Sequence, residues 1–345
     1  MTAKPINLAL QGGGAHGAFT WGVLDALLAD ERVVIRAISG ASAGAMNAVA
    51  LAEGYAEAGR DGARLQLRAF WESVGARARF SPIQRSLYDK LLGNWDIEES
   101  PGYLWFEWWS DMLSPYDVGL VDMNPLRDVL ARQIDFRKVR ACSAIRLYIS
   151  ATNVETGRVT IFDQTKLDAE HVLASACLPT LFRAIEIDGV PHWDGGYVGN
   201  PSLFPLYEAS ESRDILIVQI TRMLRQGTPR RMQEIHNRLS EITFNASLLG
   251  ELRAIEFVQR LVDSGTALPG SYQRMLIHRI DADAALADLK PSSKLNAERA
   301  FLENLFERGR KAGLAWLDQH HADLGNRDTI DLKSLVQGKP PAPAC

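Results

Sequence analysis

"INLALQGGGAHGAF" (residues 6–19) joins an apolar run, three consecutive glycines and the start of a helix-like segment. A strand that ends in a glycine loop and turns into a helix opens a layered α/β fold, and such a loop is built to face an anion. Gly12, Gly14 and Gly17 have G-x-G-x-x-G spacing, so one reading is a dinucleotide pyrophosphate site. That reading needs an Asp or Glu at the end of the second strand to hold ribose hydroxyls. Here the second strand pattern, VVIRAIS (33–39), runs into GASAG, and Asp30 and Glu31 stand before it. The nucleotide reading therefore lacks its ribose contact.

Gly40-Ala41-Ser42-Ala43-Gly44 is a G-x-S-x-G motif between a strand and a helix. A serine on so tight a turn is forced toward strained backbone angles, and the small neighbours avoid clashes that larger side chains would make. Gly40 and Gly44 form the elbow, Ser42 projects over the sheet, and the following helix N-terminus favours developing negative charge. The plain alternative is a small-residue helix start packed on a strand. With Ser42 as nucleophile, the amides of Gly12, Gly13 and Gly14 suit the oxyanion of an acyl transfer.

A serine nucleophile needs a base. Among the histidines, His278 lies in a strand pattern, where chain order would permit a Ser–Asp–His triad, and the others lack a triad context. Asp194, in HWDGGYVGNP, follows a short strand, and Gly195 and Gly196 would allow unusual backbone angles and close packing. A simple Asp-Gly turn is the alternative reading.

Taken together, GGGAHG, GASAG and DGG, in this order, resemble the patatin-like phospholipase family. The resemblance runs from about Ile6 to Pro205 and includes LASACLPTLFRAIEIDG and GNP. It implies a three-layer α/β/α fold and a Ser42–Asp194 dyad in place of a triad. Gly12–Gly14 would supply the oxyanion hole, an acyl-enzyme would form, and no cofactor or metal would be needed. The substrate would be a lipid acyl ester, with water or an alcohol as acceptor. A catalytically silent lipid- or partner-binding protein on the same fold is the alternative. One departure stands out: family members often carry Arg or Lys where this chain has His16. That histidine is either a pH-dependent charge near the loop or a packed helix-start side chain.

The rest of the chain fits one soluble domain, expected over residues 5–325. Strand patterns rich in Ile, Val and Leu alternate with helices, as in a largely parallel sheet buried on both faces. The net charge of −4 and pI near 6.0 argue against a nucleic-acid partner. The three cysteines, Cys142, Cys177 and Cys345, are scattered without metal-ligand spacing. With no signal-like or spanning apolar run, the expected location is cytoplasmic, with peripheral membrane contact open; the oligomeric state is not legible. Residues 60–124 read as a helical insertion holding five of the eight tryptophans. Its YLWFEWW segment would either pack on the core or form an acyl-pocket wall or membrane-facing lip. Residues 222–325 read as mostly helical, with two helices broken near Ser247–Gly250, and 326–345 as a flexible tail.

Overall fold

In the computed structural model, residues 3–79, 84–85, 94–98, 100, 102, 114–117, 124–208, 212–266 and 272–338 are described. The chain alternates as the apolar patterns predict. Strand β1 (Lys4–Leu10) leads to helix α1 (Gly17–Ala29), then β2 (Val33–Gly40) and α2 (Ala43–Ala78). Helices α3 (Pro125–Gln133) and α4 (Phe136–Ala141) precede β3 (Arg146–Asn153) and β4 (Val159–Asp163). After α5 (Ala169–Ser175) come the hairpin β5 (Ile185–Ile187) and β6 (Val190–Asp194), α6 (Phe204–Glu208) and β7 (Asp214–Gln219). Helix α7 (Met232–Asp263), β8 (Leu276–Asp281), α8 (Arg299–His320) and α9 (Leu332–Val336) complete the order.

The sheet runs β5-β6-β3-β2-β1-β7-β8, with β4 paired to β3. Strands β3, β2, β1, β7 and β8 are mutually parallel, while β4, β5 and β6 join antiparallel. Alternation along the strands separates two apolar layers. Ile6, Leu8, Leu10, Leu216 and Val218 face the cluster built from α1, α2 and α8. Ala9, Ile215 and Ile217 face Leu248, Leu252 and Ile255 of α7 and Leu332 of α9. The result is a three-layer α/β/α arrangement around a largely parallel sheet.

One pairing detail positions the site. Tyr148 of β3 pairs Ser39 of β2 on one edge and Asp163 of β4 on the other. Ala151 pairs Thr160 of β4 and Asp194 of β6. Both β2 and β6 therefore lie on the edge of β3 opposite β4, and β6 takes up the lane where β2 stops. Gly40 ends β2 opposite Ile149, and Asp194 ends β6 opposite Ala151. The two strand ends converge on one spot.

Several boundaries differ from the sequence expectation. Helix α2 is interrupted at non-helical Ala58 and Gly59 (φ 61°), and the stretch that follows to Ala78, expected as the start of the insertion, belongs to the core through Phe70 and Trp71. Trp95 packs on Phe301 at 5.3 Å between ring centroids, whereas YLWFEWW lies outside the described residues. Helix α7 is continuous through Gly250, where no atom stands within 4 Å of a built Cβ. An exposed glycine weakens a helix by only about 1 kcal/mol, too little to break one that packs along its length. Residues 326–338, expected as part of a flexible tail, instead carry α9, whose Leu332 is buried. The Asp188-Gly189 turn does join β5 to β6, with both residues at positive φ, as that hairpin type requires.

Candidate active site

Ser42 sits between β2 and α2 with φ 53°, one of two non-glycine residues at positive φ among those described. Such a backbone is costly for a residue with a Cβ and persists only where its surroundings hold it. The elbow has little space. A Cβ on Gly44 would lie 2.2 Å from the Leu10 carbonyl oxygen, and one on Gly40 would lie 2.8 Å from the Gly44 backbone. The Ser42 amide donates to Ser175 Oγ at 2.9 Å, fixing the turn against α5. Ser42 itself remains partly exposed, so its hydroxyl is reachable.

Asp194 is buried at the end of β6, and its main chain is held on both sides. Its amide donates to the Cys177 carbonyl at 2.8 Å, and its carbonyl accepts from Thr152 Oγ1 at 2.7 Å. The carboxylate accepts from the Gly196 amide at 2.7 Å, and the Ser42 hydroxyl lies close enough to lower its pKa. Burial raises its pKa to about 6, against the downward pull of the Gly196 amide, the Ser42 hydroxyl and the Lys294 charge. Gly195 and Gly196 serve close packing, not unusual backbone angles, since neither has positive φ. Added Cβ atoms on them would meet the Ser150 carbonyl at 2.1 Å and the Phe244 ring at 2.5 Å.

The glycine loop lies against the same serine, a Cβ on Gly12 falling 2.8 Å from Ser42 Cβ. The three expected amides are not equivalent. The Gly12 N–H is already taken by Asn200 Oδ1 at 2.7 Å. The Gly13 and Gly14 amides meet no acceptor among the described residues. Gly14 needs its glycine twice over, with φ 58° and the Lys294 carbonyl 2.5 Å from where a Cβ would sit. Gln11 anchors the base of the loop: its Oε1 accepts from the amides of Ile220 and Thr221, and its Nε2 donates to Asn245 of α7.

The histidines take no part beside Ser42. His278 bonds Asp214 at 2.9 Å, at the start of β7 and so at the opposite end of the sheet from the elbow. His192 is held by Val190 and Thr160. His16 is buried with Nε2 2.8 Å from Ser293 Oγ, and burial, then Lys294 and Arg222, lower its pKa to about 3. It is the packed, neutral side chain of the two readings. Cys177, although near Asp194, has its thiol pushed up to about 12, first by burial and then by the aspartate, which removes it as a nucleophile. Among the described residues no group of three or more His, Cys, Asp or Glu side chains could hold a metal ion. No described helix is long and apolar enough to cross a membrane.

The structure brings together Ser42, Asp194 and the glycine loop, the residues expected from sequence. Sequence reasoning did not single out Asn200, Ser175 or Gln11. Asn200 had a signal in the GNP that follows DGG; Gln11 had one as a polar residue closing an apolar strand. Ser175 had none.

A family profile described as patatin-like phospholipase matches residues 8–209. VipD from Legionella pneumophila is 15% identical over 91% of this chain and 67% of its own, with a TM-score of 0.41. ExoU from Pseudomonas aeruginosa, in complex with SpcU, is 16% identical over 99% of this chain and 75% of its own, with a TM-score of 0.30. No curated protein matches the chain. Because the profile spans more than half of the 345 residues and holds both motifs, the chain belongs to the patatin-like phospholipase family.

Proposed function

We propose that this protein is a serine acyl hydrolase that cleaves lipid acyl esters through Ser42 and Asp194. The meeting of the strained Ser42 elbow with a buried carboxylate, whose pKa burial raises to about 6 and which the Ser42 hydroxyl influences, carries this reading. An ordinary aspartate is too weak a base for a hydroxyl, whereas one near 6 is still ionised at neutral pH and holds its proton more firmly. Asp194 takes the Ser42 proton as Oγ attacks the ester carbonyl, and the tetrahedral oxygen is met by the free amides of Gly13 and Gly14. Removing one such donor typically costs about 100- to 1000-fold in rate. Collapse breaks the ester C–O bond, and Asp194 returns the proton to the departing alcohol. Asp194 then deprotonates a water that attacks the acyl-enzyme, and the fatty acid leaves with Ser42 restored.

Gly12 has a different part in this scheme. Its bond to Asn200 holds the loop in place while the next two amides face the substrate. Contact with a lipid surface is supported by Leu224, Met232, Leu239 and Ile242, exposed large apolar residues before and along the first half of α7, next to Arg230 and Arg231. The test is release of fatty acids from a mixed lipid extract, read by mass spectrometry. Wild type should release them, and folded Ser42→Ala and Asp194→Asn proteins should not. Release undiminished in Ser42→Ala refutes the scheme, and no release by folded wild type favours a silent binding protein.

A further inference from the structure

Behind the glycine loop, the segment after β7 and the turn at Pro291–Leu295 border a cavity of about 30 Å³, with His16, Thr221, Arg222, Arg225, Glu241 and Lys294 among its lining residues. That is room for roughly one or two water-sized occupants, and too little for an organic molecule. Its cations are unequally matched. Arg225 donates to both oxygens of Glu241, at 2.6 and 3.1 Å, and Arg238 reaches the same carboxylate at 3.1 Å. Glu241 is therefore spent on two arginines. Lys290 is paired with Glu98 at 3.0 Å. Arg222, by contrast, donates to the Leu286 carbonyl at 2.6 Å and has no carboxylate within 4 Å among the described residues. Lys294 has neither a carboxylate nor a hydrogen bond there. Both cations act on His16, lowering its pKa after burial does, so their charges bear on the same wall.

Buried cations without a close counter-charge are costly, and burial accordingly lowers the Lys294 pKa. The lining also offers a donor. Thr221 is buried, and its Oγ1 has no partner, although buried hydroxyls normally find one. His16 Nδ1 is likewise without a partner. Ser293 Oγ donates to the Lys290 carbonyl at 2.6 Å, so His16 Nε2 carries the imidazole proton toward Ser293 and Nδ1 is an acceptor. As an acceptor it suits a water molecule beside an anion, not the anion itself.

We propose that this cavity is a binding site for a single monatomic anion, chloride being the one of matching size and charge, held by the Arg222 guanidinium, the Lys294 ammonium and the Thr221 hydroxyl. The site adjoins the oxyanion loop without entering the place where an ester would react. Ile220 is 2.9 Å from a built Gly13 Cβ, and the Lys294 carbonyl is 2.5 Å from that of Gly14. A bound anion would therefore tie together the two segments on which Gly13 and Gly14 rest. The site stands apart from the hydrolase reading, because it is defined by binding alone.

The test uses the full-length wild-type protein. Melting temperature is measured in sodium gluconate, sodium chloride and sodium bromide at equal ionic strength, gluconate being too large to enter. Chloride and bromide should raise it in a saturable way that gluconate does not. In chloride NMR the protein should broaden the chloride line, and bromide should narrow it again by competition. Lys294→Met and Arg222→Gln should each weaken chloride binding by about tenfold or more, the range for a lost charge-assisted hydrogen bond, and Thr221→Val by a smaller factor. Melting curves in gluconate show which variants fold, and any one folded variant suffices for the comparison. Equal stabilisation in the three salts overturns the site. So does chloride broadening that is absent from wild type, or unchanged in every folded variant. Neither readout involves turnover, so an inactive protein would leave this result standing, and a negative result would leave the hydrolase reading intact.

Discussion

Replacing Asp194 by Asn should stabilise the protein, and by an amount that depends on pH. The carboxyl has a pKa of about 6 when folded, against 3.8 as the ordinary value. A carboxyl whose folded pKa is raised favours the folded state while protonated, and loses that advantage as pH rises from its unfolded pKa through its folded one. At 1.36 kcal/mol per unit, the full cost of keeping this carboxylate ionised and buried is about 3 kcal/mol, reached above about pH 7. At pH 4.5 the same linkage gives only about 1 kcal/mol. Asparagine never ionises, and its Oδ1 can still accept from Gly196. Urea unfolding of wild type and Asp194→Asn at pH 4.5 and pH 8 should therefore show the variant's advantage growing by about 2 kcal/mol between them. An advantage equal at the two pH values would refute a pKa raised by burial, and with it the argument that Asp194 is tuned as a base.

The same value sets the pH dependence of turnover: log kcat/KM on a neutral p-nitrophenyl ester should rise with unit slope below about pH 6 and level above it. A profile flat from pH 5 to 8 would contradict that assignment. Asn200→Ala frees the Gly12 amide and should lower kcat by about 10-fold or more, within the range for disturbing an oxyanion loop, with little change in the pH profile. A wild-type kcat would show the anchor to be dispensable. Gly250→Ala, at an open position inside α7, should raise stability by about 0.5–1 kcal/mol in the same urea assay. A loss would mean that the helix is broken there after all.

What the sequence could disclose followed the range of the interactions involved. Strand patterns such as INLAL and ILIVQI are local records of burial on both faces, and they match β1 and β7. The elbow was legible because Gly40, Ser42 and Gly44 meet their constraints within one turn. Gly250 misled for the opposite reason: it looks like a helix stop, but tertiary packing carries α7 past it, whereas Ala58 and Gly59 do interrupt α2. The division of labour among Gly12, Gly13 and Gly14 depends on Asn200, which reaches the loop only through the completed fold. The DGG glycines pack closely as expected, but the groups they must clear, Ser150 and Phe244, belong to segments far along the chain and could not be named from the motif.

The central claim, that Ser42 is a nucleophile activated by its neighbour, is tested most directly by covalent trapping. Folded wild-type protein is treated with a fluorophosphonate and its peptides are mapped by mass spectrometry. One phosphonyl adduct should appear on the peptide containing Ser42, and labelling should be sharply slowed in Asp194→Asn. No adduct on folded protein, or an adduct on a different residue, would contradict the account.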